Sequence, residues 1–263
     1  MEATQLRRIE SNVSVEELAG WPISGPLNGA THPFPLEIAR VAKIEETKGR
    51  HDENSGYVRL LGNKRLGLLI SRVHATVIRT GNELERLLEA ATPLPLKSTL
   101  DQAIQGAESG KPPPLQVVFS PKIRRKGATH GITGDIAVFD HSRRVVSIIE
   151  VKDGDTFDTK KASGELASMQ RSARQLRGKT GYEAAIYFCS FNQSSKDAIV
   201  LGAKGRFSPT QVMTGKELCA ILRIDYGQFT AKRQSEGVAN LTYLIDQLAS
   251  IPEVTDLFRK KFR

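Results

Sequence analysis

"RVVSIIEVKDGD", residues 144–155, decides the fold. From Val145 to Val151 the chain is apolar and largely β-branched, with Ser147 and Glu150 the polar members. Such a run is too short for a core helix, and branched side chains pack well on a pleated surface, so it reads as a strand. The turn-forming run Asp153-Gly154-Asp155 ends it. Side chains alternate along a strand, which puts Val146, Ile148, Glu150 and Lys152 on one face and Val145, Ser147, Ile149 and Val151 on the other. An acid and a base therefore stand side by side at the tip of a buried strand.

The run before it, "DIAVFD" (Asp135 to Asp140), has the same character and is joined to it by the four residues "HSRR", His141 to Arg144. If those four form a hairpin loop, Asp140 pairs with Val145, and the register carried back sets Asp135 opposite Glu150. Two opposed carboxylates repel unless positive charge sits between them. Lys152 can supply it, and so can a hard divalent cation such as Mg²⁺, with Asp135 and Glu150 as ligands and the Val151 carbonyl as a further oxygen. A cation there would polarise a phosphate and activate water, and Lys152 as catalytic base or charge stabiliser would complete a site suited to phosphodiester hydrolysis. The plainer alternative is a strand end meeting water, with Glu150 and Lys152 as a surface ion pair worth under about 1 kcal/mol and "TGD" at 133–135 as a turn.

The surrounding chain supports a sheet. "LQVVF" (Leu115 to Phe119), "AAIYFCSF" (Ala184 to Phe191) and "AIVLG" (Ala198 to Gly202) read as further strands. Between Lys152 and Ala184, "SGELASMQRSARQLRGK" reads as a crossover helix with Leu166, Met169, Ala173 and Leu176 as its apolar stripe and Arg171, Arg174 and Gln175 on another face. Thr214 and Glu217 have capping-box spacing, which starts a helix at "TGKELCAIL", and the tail from Asn240 reads as two helices parted near Pro252. Upstream, "PLEIARVAKIEE" (Pro35 to Glu46) reads as a short helix, and 56–79 as short elements broken by glycines. "NELERLLEAAT" reads as a helix with Asn82 as N-cap and Leu84, Leu87, Leu88 and Ala91 as its stripe. "GAESGKPPP" (Gly106 to Pro114) is a domain boundary or a long loop, and the loop is the preferred reading.

Composition narrows the partner. With 38 Lys+Arg against 29 Asp+Glu the net charge is +9, which favours a polyanion without naming one. Cys189 and Cys219 each sit in an apolar run, as expected of buried reduced thiols in a reducing, cytoplasmic setting. No run approaches a membrane span, and no signal-peptide pattern opens the sequence, so a soluble protein is expected. His32, His51, His74, His130 and His141 show no zinc spacing, and "GAKGRFSPT" lacks the ending of a phosphate-binding loop.

Asp135 followed after 14 residues by Glu150-Val151-Lys152 at the end of an apolar strand resembles the PD-(D/E)xK nuclease superfamily, and in particular its type II restriction endonucleases. The resemblance spans about Leu115 to Ser190, less than a third of the chain. It departs from the pattern at Gly134, where the superfamily's name has proline. It implies an α/β fold with a mixed central β-sheet flanked by helices, extended here by helical N- and C-terminal regions. It also implies Mg²⁺-dependent cleavage of double-stranded DNA with Asp135, Glu150 and Lys152 at the site, and a homodimer. On this basis residues 1–263 form a single nuclease domain, with 115–205 as catalytic core, 1–110 as a mixed N-terminal part and 206–263 as C-terminal helices.

Many members of the superfamily carry a further glutamate on an early helix, for which Glu37 is the candidate here, with Glu45 and Glu46 competing. The loop "SPKIRRKGATHG" places Lys122, Arg124, Arg125 and Lys126 just upstream of Asp135, either to contact DNA or as a solvated basic loop. Lys160, Lys161, Arg171 and Arg174 could face a phosphate backbone. The alternatives are a repair or junction-resolving nuclease and a non-catalytic DNA-binding protein that keeps the sheet.

Overall fold

The computed structural model describes residues 42–49, 55–109, 112–121, 132–154 and 159–262. In chain order these form helices α1 (Gly56–Leu61), α2 (Lys64–Ala91) and α3 (Leu100–Ser109), then strands β1 (Leu115–Phe119), β2 (Ile136–Asp140) and β3 (Val145–Lys152). Helix α4 (Thr159–Thr180), strand β4 (Glu183–Ser190) and helix α5 (Lys196–Gly202) follow. The chain continues through β5 (Val212–Thr214), α6 (Gly215–Ile221), α7 (Tyr226–Ala249) and α8 (Pro252–Lys261). The described chain divides into two compact units, one of residues 93–222 and one of residues 42–92 and 223–262.

The first unit carries a five-stranded mixed sheet in the order β1-β2-β3-β4-β5. β1, β2 and β3 are antiparallel neighbours, while β4 runs parallel to β3 and β5 parallel to β4. The architecture is the expected α/β sheet with flanking helices. The β2–β3 register is also as expected, since Asp140 pairs with Val145 and Ile136 with Ile149. On one face Val118, Phe139, Val146, Ile148 and Phe188 pack against Leu100 and Ala103 of α3 and Met169 and Leu176 of α4. Fully burying side chains of this size stabilises by about 1.5–3 kcal/mol each. Val117, Val138, Ile149, Tyr187 and Cys189 on the other face are buried too. A sheet buried on both sides accounts for the near-continuous apolar strands.

The crossover helix forms as expected, with Met169 and Leu176 buried and Leu166 and Ala173 packed against the same core, while Arg171 and Arg174 are exposed. The Thr214–Glu217 capping box is present at the start of α6, and Pro252 opens α8.

Several expectations are corrected. "AIVLG" is not a strand but most of α5, because the Ser195 hydroxyl accepts the Ala198 N–H as an N-cap and only Ile199 of the run is buried. A five-residue apolar run carries no period of its own, and here the cap decides. The region from Gly56 onward is not a string of short elements. It is α1, ended by left-handed Gly62, and then the 28-residue α2 capped by Asn63, whose side chain accepts the Leu66 N–H at 2.9 Å.

Asn82 is accordingly interior to α2 and not an N-cap, although Leu84, Leu87 and Leu88 of the expected stripe are buried and Ala91 is half-buried. Gly67 does not break α2. A Cβ there would come within 2.6 Å of Val58, so glycine allows α1 to lie close. Of the helix expected over Pro35–Glu46, the described part is a turn at 44–46, and the rest lies outside the described residues. The proline-rich loop is also shorter than "GAESGKPPP" suggested, because α3 reaches Ser109.

In the second unit the Asn240 side chain on α7 donates to the Ala42 carbonyl at 3.0 Å and accepts the Ile44 N–H at 2.9 Å, pinning the turn. Arg72 of α2 donates to the Tyr243 hydroxyl at 2.6 Å. Among the described residues no helix is long and apolar enough to cross a membrane.

Candidate active site at the end of β3

Asp135 lies one residue before β2 and is held from both sides. Its N–H donates to the Ile149 carbonyl at 3.0 Å, and its carbonyl accepts the Ser120 N–H at 2.7 Å, so its backbone is tied to β3 on one side and to the end of β1 on the other. Its Oδ2 accepts the Val151 N–H at 2.7 Å, which aims the carboxylate along the tip of β3. The segment leading to it is anchored to α4, where the buried Ser172 hydroxyl accepts the Thr133 N–H at 2.8 Å.

Glu150 and Lys152 end β3 on the face that Val146 and Ile148 occupy deeper in the core. Lys152 donates through Nζ to Glu150 Oε1. It also lies 3.6 Å from Glu165 Oε1 on α4. The backbone of Lys152 is fixed by the Phe191 N–H, which donates to its carbonyl at 2.9 Å. The Glu150 side chain is 12 % exposed and that of Lys152 is 32 %, so the acid is the more buried partner.

The electrostatics follow from this placement. Burial pushes the Glu150 carboxyl above its ordinary value, the nearby Asp135 carboxylate pushes it further, and Lys152 pulls against both. Burial works to lower the Lys152 ammonium, but its hydrogen bond with Glu150 and the charges of Glu150, Asp135 and Glu165 hold it above the ordinary lysine value. Two close carboxylates and one cation leave the cluster short of positive charge, a condition that a hard divalent ion relieves. Among the described residues no three histidine, cysteine, aspartate or glutamate side chains converge as a ready-made metal cluster. Asp135 and Glu150 nonetheless supply the hard oxygen donors that Mg²⁺ takes, usually one or two carboxylates with water and substrate phosphate.

Asp135, Glu150, Val151 and Lys152 are therefore brought together, with Val151 reaching Asp135 through its N–H. Glu37 and the basic loop residues Lys122, Arg124, Arg125 and Lys126 lie outside the described residues. Glu45 and Glu46 are exposed on the turn of the second unit. The residue that sequence reasoning did not single out is Glu165. Its signal was there in hindsight, since it directly precedes Leu166 of the apolar stripe and so has a fixed place on a core helix.

A mixed sheet with two acids and a lysine at the end of its central strand defines an α/β protein built like a restriction endonuclease. Comparison with known proteins makes this particular. The chain is 40% identical over 227 residues to the type II restriction enzyme HhaII of Haemophilus parahaemolyticus, covering 84% of this chain and the whole of that enzyme. The chain belongs to the type II restriction enzymes. No family model matches it, and no solved structure does.

Proposed function

We propose that the chain hydrolyses double-stranded DNA at a short specific sequence, with Asp135 and Glu150 holding Mg²⁺ and Lys152 acting beside them. Its membership of the type II restriction enzymes makes it a site-specific DNA endonuclease, and a divalent cation is the ordinary requirement of such enzymes. The observation that carries the assignment of residues is the meeting of Asp135, Glu150 and Lys152 at one strand end. Asp135, oriented by the Val151 N–H, and Glu150 would be the ligands, with the Val151 carbonyl as a third oxygen. When bound, Mg²⁺ would polarise the scissile phosphate and lower the pKa of a water molecule. Lys152 orients the nucleophile or stabilises charge growing on the phosphate oxygens.

Cutting both strands of a twofold-symmetric site supports a homodimer. The two buried free cysteines suit a reducing cytoplasm. Residues 115–205 supply the catalytic core in this reading, within a single nuclease domain.

The direct test is incubation with unmethylated phage DNA and Mg²⁺ followed by electrophoresis. Discrete bands are expected. A smear or structure-selective cutting would favour a repair nuclease, and a retarded but intact band a DNA-binding protein without catalysis.

Metal binding has its own readout. A ligand that binds only the native state stabilises by RT ln(1 + [L]/Kd), about 2.7 kcal/mol at a hundredfold excess over Kd. Ca²⁺ or Mg²⁺ should therefore raise the melting temperature, most clearly with DNA present, and Asp135→Asn should lose most of that rise. A melting temperature equally insensitive to metal in both proteins would reduce the cluster to a surface ion pair.

The basic loop is tested by sequence dependence. If Arg124 or Arg125 reads a base, alanine there should cost about 1–3 kcal/mol on the cognate site alone, whereas a phosphate contact weakens all sequences alike. Unchanged binding to both DNAs would make it a solvated loop.

A further inference from the structure

We infer that Glu165 is a positioning residue for Lys152, keeping its ammonium at the end of β3 when Glu150 turns its carboxylate to a divalent cation. The inference rests on the reading of Asp135 and Glu150 as metal ligands. Nζ of Lys152 is bonded to Glu150 Oε1 and stands 3.6 Å from Glu165 Oε1. The charges that act on this ammonium are those of Glu150, Asp135 and Glu165. A cation at Glu150 repels an ammonium that shares the same oxygen, so occupancy of the site weakens the bond that holds Lys152 in the metal-free protein. Asp135 is engaged at the same site. Of the three carboxylates only Glu165 then remains to attract Nζ.

Glu165 is placed for this by the helix that bears it. Leu166, its neighbour on α4, packs against the core under the sheet, and Ser172 on the same helix accepts the Thr133 N–H close to Asp135. Helix α4 thus ties the Glu165 backbone and the approach to Asp135 to one rigid element. Lys152 and Glu165 are each about one-third exposed, at 32 % and 33 %. A pair so exposed contributes little to stability. What it fixes is the position of a flexible four-carbon side chain, and catalysis is sensitive to position at the scale of an ångström.

The test is Glu165→Gln, which keeps the shape and helix propensity and removes the charge. Under single-turnover conditions with saturating Mg²⁺, kcat should fall by roughly 10- to 100-fold. KM and DNA affinity should be unchanged, as should the rise in melting temperature on adding Ca²⁺. Nitrogen NMR of the lysine ammonium groups gives a readout apart from activity. The Lys152 signal, identified by its loss in Lys152→Arg, should stay sharp in the Ca²⁺-loaded wild type and broaden in Glu165→Gln. Wild-type kcat, or an ammonium signal equally sharp in both proteins, would overturn the positioning role. Loss of the Ca²⁺-dependent melting rise would overturn it too, because Glu165 would then be a ligand. Asp135→Ala and Lys152→Ala run alongside. Activity surviving in them removes the metal-site reading itself, whereas activity surviving in Glu165→Gln alone removes only this inference.

Discussion

Asp135→Ala, Glu150→Ala and Lys152→Ala should each abolish DNA cleavage while leaving DNA binding largely intact. The expected loss is on the order of 10³-fold or more in kcat, since each removes charge stabilisation aimed at the transition state in a partly buried site. Proteins of net positive charge, +9 here, gain most of their DNA affinity from contacts to phosphates and not from a metal site. The loss should therefore appear in kcat and not in the DNA dissociation constant measured without metal. Folding should survive all three changes. Asp135, Glu150 and Lys152 lie partly buried at the end of the sheet, outside the core formed by Val146, Ile148, Phe139 and Phe188. Asp135→Ala gives up the hydrogen bond from the Val151 N–H, so a modest fall in melting temperature is expected there and should be measured with the kinetics. Wild-type turnover in any of the three variants would remove that residue from the mechanism.

The site was legible because strand chemistry is local. Eight residues of β3, a four-residue loop and the period of two fix the pairing of β2 with β3 as far as Ile136 and Ile149 without tertiary information, which leaves Asp135 beside the tip of β3. The relation of Glu165 to Lys152 could not be read in the same way. It depends on how α4 returns over the sheet after residues 155–158, a geometry that no local spacing encodes. The misread elements fail for related reasons. "AIVLG" has the composition of a strand, and only its N-cap and the burial of Ile199 make it a helix. In α2 Gly67 looked like a break, yet it serves a close helix contact. β5 is three residues long and exists through its pairing with β4, so its strand character belongs to the sheet and not to its own sequence.

Gly134→Pro should unfold the site region, although proline stands at this place in the motif that the sequence resembles. The backbone of Gly134 has φ +132°, a conformation open to glycine and rarely adopted by residues with a side chain. Proline is locked near −65° and cannot follow that path. Geometry adds a second obstacle, because a Cβ at 134 would lie 2.6 Å from Cγ2 of Ile148, a fully buried side chain in the centre of the core. Ile148 cannot retreat without opening a cavity beside Val146 and Phe188. Gly134→Ala meets the φ strain and the clash, and should cost on the order of 2–4 kcal/mol when strain and overpacking are taken together. Gly134→Pro should cost more, because it must also rebuild the turn that delivers Asp135 to the end of the ladder. Urea titration followed by far-ultraviolet circular dichroism measures both, and DNA cleavage reports whether Asp135 still reaches Glu150. Pairing either change with Ile148→Val separates the two causes. Val keeps both Cγ atoms, so relief must come from the freer packing of the shorter side chain, and recovery there would mark the clash as dominant. If Gly134→Pro folds and cleaves like the wild type, the strand is entered by another path, and the departure from the motif has no backbone cause.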